Sequence, residues 1–111
     1  MAERRFNPRM HKRISVHFGP EEATSIGHTD DMNADGFFIR TVTVQPPGKK
    51  LIVILQTDDG ANIRLAAQVR WAKQVSSGMI RSFKGGMGVR ILHFESGEAE
   101  YRALCEKMKG N

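Results

Sequence analysis

The chain has 111 residues, 40% hydrophobic and 26% charged, the size and make-up of one soluble domain with a modest core. Its longest strictly apolar run, Leu51 to Leu55, falls far short of the about 20 residues of a membrane-spanning helix, and a single Cys105 excludes an intramolecular disulfide framework and any CxxC metal or redox motif. The net charge of +5 is lopsided: residues 1–13 hold Arg4, Arg5, Arg9, Lys12 and Arg13 against Glu3 alone, whereas residues 14–111 hold 12 bases and 11 acids.

Residues 1–13 show no apolar periodicity and contain Pro8, so they read as a flexible basic segment. No apolar stretch follows Met1, so no secretory leader is expected, and a reducing cytoplasm is the expected compartment. Ile14 to Phe18 alternates apolar and polar residues, the mark of a half-buried strand, and Gly19-Pro20 ends it. Ser25 to Met32 is a weaker, polar strand. Asp35-Gly36 reads as a tight turn, and the aromatic and β-branched run Gly36 to Thr43 as a strand that stops at Pro46-Pro47-Gly48. Leu51 to Thr57 is a strand with apolar residues on both faces, followed by a hairpin signal at Asp58-Asp59-Gly60. Asn62 to Lys73 carries the clearest alternation, placing Ile63, Leu65, Ala67, Val69 and Trp71 on the core face and Arg64, Gln68 and Arg70 on the other.

Val75 to Lys84 reads as a loop, and Met87 to Phe94 as the last strand. Ser96 is positioned to cap a helix with Glu98 and Glu100 in its first turn, and Tyr101, Leu104, Cys105 and Met108 form its apolar stripe. Tight turns join the strands and no crossover helix separates them, so the sheet is antiparallel. Six short strands in about 80 residues favour closure into a small barrel, which removes free edges. The expected architecture is all-β with a terminal helix: a basic segment over 1–13, a six-stranded antiparallel β-barrel over 14–95, and a C-terminal α-helix over 96–109.

Catalytic constellations are absent from this pattern. Cys105 lies on the helix's apolar stripe and reads as a small buried hydrophobe. His11, His17, His28 and His93 lack metal-ligand spacing, Asp58-Asp59 is turn chemistry, and Gly85-Gly86-Met87-Gly88 lacks the Lys-Ser/Thr of a phosphate-binding loop and enters a strand. The chain is therefore read as a non-enzyme with no cofactor and no metal.

Two other elements point to a ligand. Arg5-Phe-Asn-Pro-Arg9 places two guanidiniums four residues apart, at most about 13 Å if extended. Arginine forks match phosphate oxygens and the guanine O6/N7 edge. In Asp31-Met-Asn33-Ala-Asp35-Gly36, Asp31 and Asn33 share a face if the strand continues. A carboxylate at Asp31 can accept from guanine N1–H and N2–H₂, and Gly36 would allow a positive φ beside the ligand.

Taken together, these segments resemble the PilZ domain family, whose pattern is an RxxxR segment followed by D/N-x-S-x-x-G on a six-stranded barrel, and whose members typically bind cyclic di-GMP. Arg5 and Arg9 match the arginine pair, Asp31 the D/N position and Gly36 the glycine. Gly36-Phe-Phe-Ile-Arg-Thr41, Val69-Arg-Trp71 and Gly86-Met-Gly-Val-Arg90 follow in the matching order. Asn33 stands where the family has Ser, and Asp35 adds a carboxylate where the family is small or neutral.

The resemblance implies a cyclic di-GMP receptor or adaptor in which Arg4, Arg5, Arg9, Asp31, Asn33 and Gly36 hold the ligand, with Arg13, Asp35 and Arg70 as additional positions. The arginine segment would order on the ligand and signal to an effector protein, with Arg4 compatible with a stacked nucleotide pair. No nucleic acid and no membrane span are expected, and the chain is expected to be a monomer or weak dimer. Two rival readings are a nucleotide-insensitive PilZ-like interaction domain serving motility or secretion machinery, and a small RNA- or single-stranded-DNA-binding barrel.

Overall fold

Alternating side chains and short turns close this chain on itself. The computed structural model describes residues 14–76, 78 and 85–109. The expectations for Arg4, Arg5, Arg9 and Arg13, most of the Val75–Lys84 loop and the Met108 side chain lie outside that description. Six strands precede one helix: β1 (Ser15–Gly19), β2 (Ser25–Asn33), β3 (Gly36–Arg40), β4 (Lys50–Gln56), β5 (Asn62–Lys73), β6 (Gly86–Ser96) and α1 (Glu98–Lys109). They form a closed barrel in the order β1-β2-β3-β6-β5-β4, with β4 returning to β1 and every pairing antiparallel. Among the described residues, closure leaves no strand with only one neighbour.

The inward rows fill the barrel. Val16 and Phe18 from β1, Ile39 from β3, Leu51, Val53 and Leu55 from β4, Ile63 and Leu65 from β5, and Met87 from β6 are fully buried. On β4 the two apolar faces divide as alternation requires: Leu51, Val53 and Leu55 enter the core while Ile52 and Ile54 stay half-buried outside. The Asp58-Asp59-Gly60 turn closes with Gly60 at φ 90° and Gly60 N donating to Thr57 O at 3.1 Å. Asp59 accepts from the Thr57 hydroxyl and from Ala61 N, and these bonds hold its carboxyl below the usual range, so it serves the turn.

Helix α1 covers the barrel with the buried Tyr101, whose ring lies 6.1 Å from Phe37 and 5.3 Å from Phe94. Cys105 packs on the core as its place on the apolar stripe predicts, though less deeply than a buried hydrophobe would. It is half-buried, beside Leu104. Ser96 is not the helix cap. It ends β6, and the first helical bond runs from Tyr101 N to Gly97 O at 2.9 Å, so Gly97 holds the cap position at φ 85°.

Trp71 is the larger correction. The sequence places it on the core face, but it is 49% exposed. The β5–β6 register slips between Val69↔Val89 and Trp71↔Gly88, so Arg70 and Trp71 both stand outside. One extra residue in a strand reverses the facing of all that follow, and Ala72 takes the inward place.

Candidate ligand-binding site

The β2–β3 connection carries the Asp31–Gly36 motif and is not a plain continuation of the strand. Pairing runs regularly to Asp30↔Phe38 and resumes at Asn33↔Gly36, with one more residue on β2 than on β3. Within this bulge Asp31 sits at φ 51°, a left-handed conformation uncommon for a side-chain-bearing residue and most tolerated by Asn and Asp. Past the bulge, Asp31 and Asn33 share the outer face, as their spacing predicts, with Met32 between them packed against the core. Such strained residues cost about 1–3 kcal/mol and persist where surrounding contacts fix them.

Contacts fix the turn that follows Asp31. Asn33 Oδ1 accepts from Asp35 N at 2.8 Å and Gly36 N at 3.1 Å, locking the two-residue turn between them. Ile91 N donates to Asp35 O at 2.9 Å, tying the turn to β6. From beneath, the Tyr101 hydroxyl donates to Asn33 O at 2.7 Å and lies 3.3 Å from Gly36 O. Burial pushes this phenol well above its ordinary pKa, so it stays a donor.

Gly36 has a different role from the one the sequence suggests. It is not among the positive-φ glycines. A side chain there would place Cβ 2.1 Å from Val89 O, so the glycine is needed for the close approach of β3 to β6.

The loop forms one side of an open groove of about 750 Å³ on the outer faces of β3, β6 and β5. Asp31, Asn33 and Asp35 line it from the loop, and Arg70, Trp71 and Arg90 from the strands. Its floor is a three-strand row: Phe38 pairs with Gly88, and Gly88 with Trp71. With no side chain at Gly88, the Phe38 and Trp71 rings meet over its backbone, centroids 5.2 Å apart and planes inclined 31°. The groove thus joins an aromatic platform, two guanidiniums and two carboxylates. That set suits a ligand with a flat base, anionic groups and N–H donors. Close by, the described chain begins at Ile14, whose N donates to Thr29 Oγ1 at 3.2 Å and whose O accepts from Thr29 N at 2.9 Å, two residues before Asp31.

The structure therefore brings Asp31, Asn33, Gly36, Asp35 and Arg70 together at one groove. The Asn33 amide oxygen is spent on the turn, leaving its amino group for other partners. Sequence reasoning missed Arg90, which faces outward on β6 opposite Gly36 and was legible from alternation. It also missed Trp71 as a wall of the groove. Gly88 in a strand interior was the one signal of a close approach there.

A family model described as PilZ domain matches residues 3–107. The chain belongs to the PilZ domain family. This assignment places it among receptor and adaptor domains. Among solved structures, the Bacillus subtilis inhibitor of motility (MotI/DgrA) shares the fold of this PilZ domain with a TM-score of 0.67 at 18% identity. The match covers 90% of this chain and 47% of that one, so this PilZ domain spans about half of its length. Comparison with the curated proteins gave no match.

Proposed function

We propose that this PilZ domain is a receptor for cyclic di-GMP that closes its arginine segment over the ligand and thereby alters its contacts with an effector protein. The observation that carries the reading is the convergence of the Asp31–Gly36 loop, Arg70, Arg90 and the Trp71–Phe38 platform on one groove. Asp31 would accept from a guanine N1–H and N2–H₂, and the platform would stack a purine, worth about 1–3 kcal/mol per base. Arg70 and Arg90 suit the phosphates. Arg9 and Arg5 lie five and nine residues before Ile14, so the chain can carry them about 17 and about 30 Å, enough to reach the groove. Arg4 and Arg13 add charge that offsets Asp35 on the groove wall.

Magnitudes argue for all these contacts acting together. Fixing eight backbone residues costs on the order of 10 kcal/mol, and a micromolar Kd needs a surplus of about 8. One bidentate arginine–guanine contact gives only about 1–3 kcal/mol of discrimination, so the arginine pair alone falls short without the loop and the platform. The motility inhibitor that shares the fold makes a component of a motility apparatus one candidate effector.

Titration calorimetry with cyclic di-GMP, with GTP and a short RNA as controls, tests the reading. Binding by the wild type is expected, with Arg5→Ala and Arg9→Ala each abolishing it. Arg102→Ala should bind as wild type, since Arg102 only pairs with Glu98 on the exposed side of α1. No heat up to about 100 µM, a limit of about 5.5 kcal/mol, would overturn it. That outcome would favour a nucleotide-insensitive interaction domain, to which the committed Asn33 oxygen and the Asp35 carboxylate on the groove wall already lend support.

A further inference from the structure

The turn that carries the motif has two sides. Its side chains face the groove, and the backbone carbonyls at its two ends, Asn33 O and Gly36 O, meet the Tyr101 hydroxyl from α1. Tyr101 is 1% exposed, so its hydroxyl meets these carbonyls from the buried side of the turn. Its ring is seated between Phe37 and Phe94, which fixes where the hydroxyl points. The other ties on the turn are the Asn33 side chain, which is local, and Ile91 N, which belongs to the sheet. Among these ties, Tyr101 is the one that comes from outside the sheet.

Asp31 adds a reason why this tie matters. Its left-handed backbone is an uphill state, held only as well as its surroundings hold it. Releasing the Asn33 carbonyl would loosen the turn that follows the bulge and, with it, the seat of the Asp31 carboxylate on the groove. We infer that Tyr101 is a positioning residue of the ligand site, and that through it α1 is coupled to the groove although Tyr101 does not line it. The inference rests on the receptor reading above. Coupling of this kind is reciprocal: a ligand that tightens the loop tightens the seat of α1, and a partner that pulls on α1 weakens the ligand.

Tyr101 is the only tyrosine in the chain, so 3-fluorotyrosine gives a single fluorine resonance. The full chain is titrated with cyclic di-GMP as wild type, Tyr101→Phe and Leu104→Ala. Leu104 packs on the core from the same helix face without touching the loop carbonyls, so it reports loss of stability alone. The expected result is a folded Tyr101→Phe with Kd weakened about tenfold or more, a Leu104→Ala with lower melting temperature and unchanged Kd, and a fluorine shift in the wild type on saturation. Should Tyr101→Phe not fold, the wild-type fluorine shift decides. Equal Kd for wild type and Tyr101→Phe, or a fluorine resonance unmoved at saturation, overturns the coupling while the receptor reading stands. Absence of wild-type binding overturns both.

Discussion

Replacing Gly88 with alanine probes the floor of the groove directly. A Cβ there would lie 2.3 Å from Trp71 Nε1 and 2.7 Å from Cε2, closer than atoms can approach. The backbone has little room to yield, because Gly88 is paired on one side to Phe38 and on the other to Trp71. The indole must therefore leave. It forfeits the ring contact with Phe38, about 0.5–1.5 kcal/mol. It is 49% exposed, so roughly 100 Å² of its surface is covered. At about 25 cal/mol per Å² that cover contributes at most about 2.5 kcal/mol. Alanine returns about 0.5–1 kcal/mol by stiffening a strand glycine. The net cost is roughly 1–3 kcal/mol, a fall of at least about 4 °C in melting temperature for a domain this size.

Trp71 is the only tryptophan, so emission reports this site alone. A red-shifted emission maximum in the folded variant and weaker cyclic di-GMP binding should accompany the fall. An unchanged emission maximum with an unchanged melting temperature would refute the seating of the indole on Gly88.

Gly36→Ala should be more severe, because its Cβ would meet a backbone oxygen, Val89 O, at 2.1 Å rather than a side chain that can swing away. The β3–β6 ladder must open, and a loss of about 2 kcal/mol or more is expected by chemical denaturation. Alkaline pH should expose the buried phenol. Its pKa is raised in the folded state above the ordinary 10.0, so the folded chain keeps a proton that the unfolded chain releases. Stability from this group is complete below pH 10 and falls above it by up to about 1.4 kcal/mol per pH unit. Denaturation midpoints of wild type and Tyr101→Phe between pH 9 and 11 should show a steeper decline in the wild type, and parallel profiles would contradict the burial of the hydroxyl.

Much of the barrel was legible because alternation and turn residues are local signals. Ile63, Leu65, Ala67 and Val69 fall on the core face that their spacing assigns, and Asp58-Asp59-Gly60 makes the turn its composition announces. Trp71 went astray because a bulge is decided by the partner strand: Gly88, 17 positions along the chain, opens the space that draws the indole outward. The same limit hid the meaning of Gly36, whose need for a bare Cα arises from Val89 on another strand. The motif loop was found by residue type, but its geometry was not, since Asp31's left-handed turn follows from the register on either side. Tyr101 was read as an apolar-stripe residue, and its ring is that. Its hydroxyl reaches carbonyls 65 and 68 positions away, which no spacing rule within one helix can anticipate.

The closed ladder has a consequence for how such a molecule can speak to a partner. Every strand is clasped by two neighbours, so no strand can slide without breaking two rows of hydrogen bonds. A stave in a hooped cask does not move alone. Outside the ladder stand Ile14, just ahead of β1, and α1, which follows Gly97. Both are anchored beside the same few peptides, the first at Thr29 and the second at Asn33. If the groove takes a ligand as proposed, the ligand would act beside two handles on a rigid body, and a partner gripping either one could read it without the barrel changing shape.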